Sequence, residues 1–256
     1  MRNRREGMTS PGEMTLFSHL AEFRNRLIVC AVVFTASMLA CLTKAKLFCD
    51  ILISGASEFS FIYTSPAELF IVYMKLALIG GAVITIPTAV YELWRFLRPG
   101  LLQRERIAAG LVMIFGLLLF AAGAVFAFRV ILPLSIHFFW GLNEGQGVAP
   151  LMSIANYVNY VTGVMLSFGV VFELPVAVVL LTEFGLVRAK TLRKYRKYMV
   201  LVIFTAAAIL TPPDVTSQVL LALPMLGLYE ISIVLSDIVG RRADRALAAG
   251  VAKNAG

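Results

Sequence analysis

Glu173 lies near the middle of a long apolar run from about Tyr157 to Leu186. A charged carboxylate at the centre of a membrane helix costs roughly 2.5–3.5 kcal/mol on insertion scales, so it must face protein or water, or carry a proton. Pro175, two residues on, removes a backbone donor and loosens the helix around it. Two readings follow: an acid hydrogen-bonded to a neighbouring helix, or a polar docking or passage site inside the bilayer. Glu230 has a similar depth in the last apolar run. Two further carboxylates stand at the edges of apolar runs. His19, Glu22 and Arg26 follow 3-4 spacing and share a polar helix face, with Glu22 and Arg26 as an i,i+4 pair. Leu16, Leu20, Phe23 and Leu27 make the apolar stripe of an interfacial helix. Glu105 sits between Arg104 and Arg106. Alone, each acid reads as a local surface ion pair. Together they are able to hold two guanidinium groups through paired hydrogen bonds, the geometry that makes arginine specific.

Other chemistry has little support. The sequence contains no HExxH, no CxxC pair, no G-x-S-x-G and no phosphate-binding P-loop. His19 and His137 are expected on opposite sides of the membrane, so they share no site. Cys30, Cys41 and Cys49 lack metal-ligand spacing and read as packing residues. Neither an enzyme nor a cofactor is expected.

The elements that carry these acids are membrane spans. Of 256 residues, 59% are hydrophobic and only 15% charged, and the mean hydropathy is +0.85. Soluble domains are about half apolar and a quarter charged. This composition excludes a soluble enzyme, a secreted disulfide scaffold and a disordered protein. Six apolar runs are visible, in one membrane domain covering residues 1–245. They span about Leu27–Thr43, Leu69–Leu93, Ile107–Phe128 (extending toward Trp140), Tyr157–Leu186, Met199–Leu210 and Val219–Leu235. Lys75 lies inside the second and can snorkel outward, with Glu68 at i−7 as an outer-surface partner. The fifth run rises only about 18 Å and ends at Thr211-Pro212-Pro213, which stops a helix. Hydropathy leaves two choices there: a re-entrant hairpin, or two short spans that thin the bilayer. Residues 246–256 are small and polar, and are expected to fray.

A net charge of +8 would point to nucleic acid on a soluble chain. Here its placement reports orientation. Arg2, Arg4, Arg5, Arg24 and Arg26 precede the first run, and Arg95, Arg98, Arg104 and Arg106 connect the second to the third. Arg188, Lys190, Arg193, Lys194, Arg196 and Lys197 connect the fourth to the fifth, and Arg241, Arg242, Arg245 and Lys253 follow the sixth. The opposite connections hold only Lys44, Lys46 and Arg129. The positive-inside rule then predicts cytoplasmic termini.

Several ordered strings carry a resemblance. His19-Leu20-Ala21-Glu22-Phe23-Arg24-Asn25-Arg26-Leu27 precedes the first run, followed by Pro66 and Glu68. Tyr91, Trp94, Phe96, Pro99, Gly100, Leu101, Glu105 and Arg106 mark the next cytoplasmic connection. Phe172-Glu173-Leu174-Pro175 lies in the fourth run, and Thr211-Pro212-Pro213-Asp214 precedes Ser217-Gln218, Pro224 and Leu228-Tyr229-Glu230. Over about Leu16 to Asp237 the chain resembles the TatC family, the multispanning component of the twin-arginine protein translocase. It departs from the pattern at Phe23, where leucine is usual, and at Glu92, where glutamine is common.

The resemblance implies an all-α polytopic membrane protein with six transmembrane helices. The last two are short, the arrangement is concave and glove-like, and both termini are cytoplasmic in a bacterial-type inner membrane. It implies a receptor for twin-arginine signal peptides of folded cargo, self-associating and recruiting TatA-like and TatB-like single-span subunits, driven by the proton-motive force. Glu22 and Glu105 would hold the arginine pair, with His19 beside them and Arg24 orienting Glu22. Glu173, Gln218 and Glu230 would form an intramembrane polar partner site. Pro66, Glu68, Pro99, Pro175, Pro212, Pro213 and Asp214 would serve the loops and helix ends. Partners beyond peptide and protein would be membrane lipid, not nucleic acid. From the residues alone, a small proton-coupled transporter using Glu173 and a purely structural scaffold remain as rivals.

Overall fold

The computed structural model describes residues 11–56, 59–98, 103–141, 151–210 and 215–254. Side chains are described over the same ranges except at 11–18, 97, 103–105, 107–108, 217 and 242–254. Helix dominates, as a chain crossing hydrocarbon must satisfy its backbone within each span. Among the described residues, five helical stretches are long and apolar enough to cross a membrane: His19–Thr43, Pro66–Phe96, Ala109–Gly141, Ile154–Glu183 and Gln218–Arg241. Chain contacts group into two compact units, Met1–Ala45 with Met74–Met113, and Lys46–Tyr73 with Ile114–Gly256.

In the first unit, α1 (Pro11–Thr43) opens on a proline, tolerated where a helix needs no donor. The expected interfacial segment and first span are one continuous helix, because no glycine or proline interrupts the chain between Glu13 and Thr43. α1 packs antiparallel on α3 (Pro66–Leu97). The approach is close because α3 has a glycine where they meet: a Cβ on Gly81 would lie 2.8 Å from the backbone of Met38. Small residues serve this purpose in membranes, where no hydrophobic force drives helices together.

The second unit begins with α2 (Ala45–Ser54), which buries Cys49. Burial, helped by Asp50, raises the Cys49 thiol above its ordinary value, as befits an unreactive packing residue. β1 (Ser60–Ile62) pairs in parallel with β2 (Leu151–Ser153), Phe61 opposite Met152. α3 starts with Ser65 as N-cap, accepting from the Glu68 N–H at 3.3 Å, and with Pro66 in the first turn.

α4 (Gln103–Phe126) continues through a π turn (Ala127–Ile131) into α5 (Leu132–Gly141). Pro133 has no N–H to give, and the Leu132 N–H reaches back five residues to the Ala127 carbonyl. The wider turn carries the helix across the proline. α6 (Ile154–Phe172) and α7 (Leu174–Glu183) are separated only at Glu173. There the Glu173 N–H bonds the Val170 carbonyl at 3.1 Å, and Pro175 has no N–H to bond the Val171 carbonyl.

α7 ends at Gly185, whose φ of +72° suits glycine. The Leu186 N–H returns to the Leu181 carbonyl at 2.9 Å, closing the helix end. α8 (Ala189–Leu210) and α9 (Val215–Asn254) form an antiparallel hairpin. Its rungs are Gln218 Nε2 to the Phe204 carbonyl (2.9 Å) and Tyr229 Oη to the Leu192 carbonyl (2.8 Å). α9 runs on through Asn254, over the segment expected to fray. Its alanines, the best helix formers, account for the difference. Thr211, Pro212, Pro213, Asp214 and Pro99 lie outside the described residues.

Candidate functional site

Arg26 is the hub of the first unit's polar end. Its guanidinium pairs with the Glu22 carboxylate one turn back on α1. It also reaches α3, donating to Glu92 Oε2 at 3.2 Å and to the Glu92 carbonyl at 3.3 Å. The Arg26 and Glu92 side chains are only 13% and 12% exposed, against 42% for Glu22. Glu22 therefore presents a half-open carboxylate, while Arg26 and Glu92 are nearly enclosed. Removing one member of such an enclosed pair strands the other. Arg26 Nε is itself buried without a partner among the described residues.

Arg24 was expected to orient Glu22, but it is exposed and Arg26 holds that acid. The reason is helical geometry: two residues turn by about 200°, to the opposite face, whereas four return nearly to the same one.

Aromatic packing fixes this end. The His19 ring stacks on Phe96 at 4.2 Å and 17°, and Phe23 leans on the same ring at 5.5 Å. Trp94 Nε1 donates to the Arg106 carbonyl at 3.5 Å, tying α3 to the first turns of α4 beside Glu105. The Glu105 backbone is helical, and its side chain lies outside the described residues. Between α1 and α3 runs an apolar groove of about 250 Å³, lined by Phe23, Leu27, Cys30, Ala89, Leu93 and Phe96, with Arg26 and Glu92 at its wall. A carboxylate with an adjacent apolar groove can receive a guanidinium and a hydrophobic segment in succession. Sequence reasoning noticed Glu92 only as an extra charge. Its pairing with Arg26 spans 66 positions, and no local spacing reveals it.

The intramembrane acids have different surroundings. The Glu173 carboxylate lies over α4 at Gly116, where a Cβ would come within 2.9 Å of Oε2. Among the described residues its side chain has no hydrogen-bonding partner. Gln218 is spent on the α8–α9 hairpin, as described above. Glu230 pairs with Arg196 of α8 at 2.5 Å, both side chains about half exposed. The hairpin brings Glu230 beside the basic segment, where it is held by an ion pair between helices. Pro175 is buried in the first turn of α7, and Pro66 is exposed at the start of α3.

Glu68 organises the loops of the second unit. Oε2 accepts the Thr64 N–H (2.6 Å) and hydroxyl (2.5 Å), while Oε1 accepts the Ser153 hydroxyl and the Ala155 N–H (3.3 Å). One carboxylate thus joins the start of α3 to the β2–α6 connection. Phe61 against Tyr157 at 4.9 Å, and the Tyr157 hydroxyl on the Leu52 carbonyl at 2.9 Å, close the layer.

Comparison with known proteins gives a consistent result. The family model for the Sec-independent protein translocase protein (TatC) matches residues 18–224. A Sec-independent protein translocase protein TatC from Aquifex aeolicus is 35% identical over 234 residues, 90% of this chain and 97% of the relative. One from Desulforapulum autotrophicum is 35% identical over 232 residues, 88% of this chain and 85% of the relative. The crystal structure of a twin-arginine translocase receptor, TatC, matches with a TM-score of 0.76 at 35% identity, covering 86% of this chain and 99% of the other.

Proposed function

The chain belongs to the TatC family of Sec-independent protein translocases, and from that premise we propose that it is the receptor of a twin-arginine translocation system. It recognises paired-arginine signal peptides of folded cargo with Glu22 and Glu105 at the cytoplasmic face of an inner membrane, with both termini on that face and six spans in all. TatA-like and TatB-like subunits are its partners. Family membership sets the transporter and scaffold readings aside. The observation that supports the peptide site best is the half-open Glu22 carboxylate beside the apolar groove between α1 and α3. A signal peptide offers the matching pair, guanidinium groups and then an apolar stretch. Crosslinking a twin-arginine peptide to the purified protein tests this; contacts that avoid both the Glu22 turn of α1 and the first turn of α4 would reject it.

Arg26 pairs with Glu22, so an incoming guanidinium must displace it. Glu92 retains Arg26 on α3 when Glu22 changes partner. Glu92→Gln removes both that fallback and one negative charge. We expect peptide affinity to fall about fivefold, with a shallower salt dependence. Equal affinity in titrations of the two proteins at low and high salt would remove Glu92 from the mechanism.

Glu173 serves contact with the single-span partners rather than the peptide. Glu173→Ala is expected to leave peptide crosslinking intact and to change the crosslinking pattern to a TatB-like partner. Gly116→Ala should reproduce part of that change, because the added methyl displaces the carboxylate from its seat on α4. Wild-type partner patterns in both variants would count against this role.

A further inference from the structure

A cavity of about 350 Å³ opens between the α7–α8 turn and α9, and the peptide site makes no use of it. Its walls come from Arg188 and Lys190 after the turn, Arg241 and Asp237 on α9, and Glu183 at the end of α7. The charges are not equivalent. Asp237 is shared by Arg241 at 2.6 Å and Arg193 at 3.6 Å, so these groups largely satisfy one another. Arg188 and Lys190 are exposed and have no carboxylate partner among the described residues. At the floor, buried Thr182 and Ser236 bond each other at 2.8 Å, so neither needs a ligand.

Position supplies the second argument. Two spans end here, one at Glu183 and the other at Arg241. The cavity therefore lies at the depth where headgroups meet hydrocarbon, whichever face of the membrane this is. The turn also presents Phe184 and Leu186, 64% and 72% exposed, directly beside the free cations. Large apolar side chains at such a depth enter the acyl region, while adjacent arginine and lysine meet phosphate.

We propose that this cavity binds the phosphate headgroup of an anionic phospholipid, with Arg188 and Lys190 as its cationic ligands and Phe184 and Leu186 against the acyl chains. Free phosphate shares the headgroup chemistry but has no use for the apolar pair. The site is independent of the receptor reading and holds whether or not Glu22 and Glu105 bind peptide.

The test is native mass spectrometry of the purified full chain in a neutral detergent. Phosphatidylglycerol, phosphatidylcholine with the same acyl chains, and inorganic phosphate are titrated in turn. Phosphatidylglycerol is expected to bind in preference to both others. The double variant Arg188→Gln/Lys190→Gln should weaken it about thirtyfold, about fivefold for each cation. Lys194→Gln/Lys197→Gln removes the same amount of charge from α8 outside the cavity lining, and should change binding less than about twofold on the same scale. Equal binding of phosphatidylcholine, equal weakening in the two double variants, or equally tight occupancy by inorganic phosphate would each overturn the proposal. Arg188 and Lys190 are exposed, so the lipid-free melting temperature of their variant should match wild type. If it drops, the single variants carry the test.

Discussion

Crosslinking of a twin-arginine peptide is expected to fall about tenfold in Glu22→Gln and in Glu105→Gln, and about a hundredfold in the double variant, because in the proposed site each acid would supply one charge-assisted, two-point contact. Glutamine keeps the size of the side chain and removes the charge, so the loss reports the guanidinium contact rather than a packing defect. The effect should be largest at low salt and shrink as the Debye length contracts from about 10 Å at 0.1 M toward about 3 Å at 1 M. Twin-lysine peptides should bind weakly to every version, since a point charge gains little from a planar acceptor pair. Glu22→Gln carries one complication with a definite sign. It also leaves Arg26 on Glu92 alone, so the cluster beside the groove loses its excess negative charge. The Glu22 variant should therefore be hurt at least as much as the Glu105 variant. Undiminished crosslinking in the double variant would remove both acids from the site.

Gly123→Ala is expected to destabilise the second unit more than any other glycine-to-alanine change discussed here. A Cβ at that position would lie 2.5 Å from the Phe168 carbonyl oxygen and 2.8 Å from the Phe172 ring. Neither obstacle is the loose end of a flexible side chain, so α4 and α6 must separate. Overpacking of this kind costs about 1–3 kcal/mol, a fall in melting temperature of about 2–12 °C for a chain of this size. Gly163 and Gly227 are the built-in controls. Both lie within helices, and among the described residues no atom beyond the neighbouring backbone of the same helix comes within 4 Å of an added Cβ. Alanine there adds helix propensity and no clash, so stability should hold or rise. Similar melting curves for all three variants would show that the close approach of α4 to α6 contributes nothing to stability.

Some of the site follows from local rules. Glu22 with Arg26 is an i,i+4 pair, and Ser65 before Pro66 is an N-cap, so both are legible from spacing alone. The break at Glu173 follows from Pro175. Composition and charge placement likewise determined that the chain is a helical membrane protein, and in what order its spans occur. Hydrocarbon tolerates neither unsatisfied backbone nor stray charge, so these properties are written residue by residue. The family strings added a function to that outline.

The remaining features needed the tertiary structure. Arg26 to Glu92 spans 66 positions, Ser153 to Glu68 spans 85, and Arg196 to Glu230 spans 34. Each depends on which helix faces meet. That is decided by notches such as Gly81 and Gly123, whose significance lies in the side chains opposite them. Apolar periodicity cannot choose among faces when lipid accepts all of them equally. Only folding gave Glu230 its partner in Arg196, and turned Glu92 from an extra charge into the second holder of Arg26.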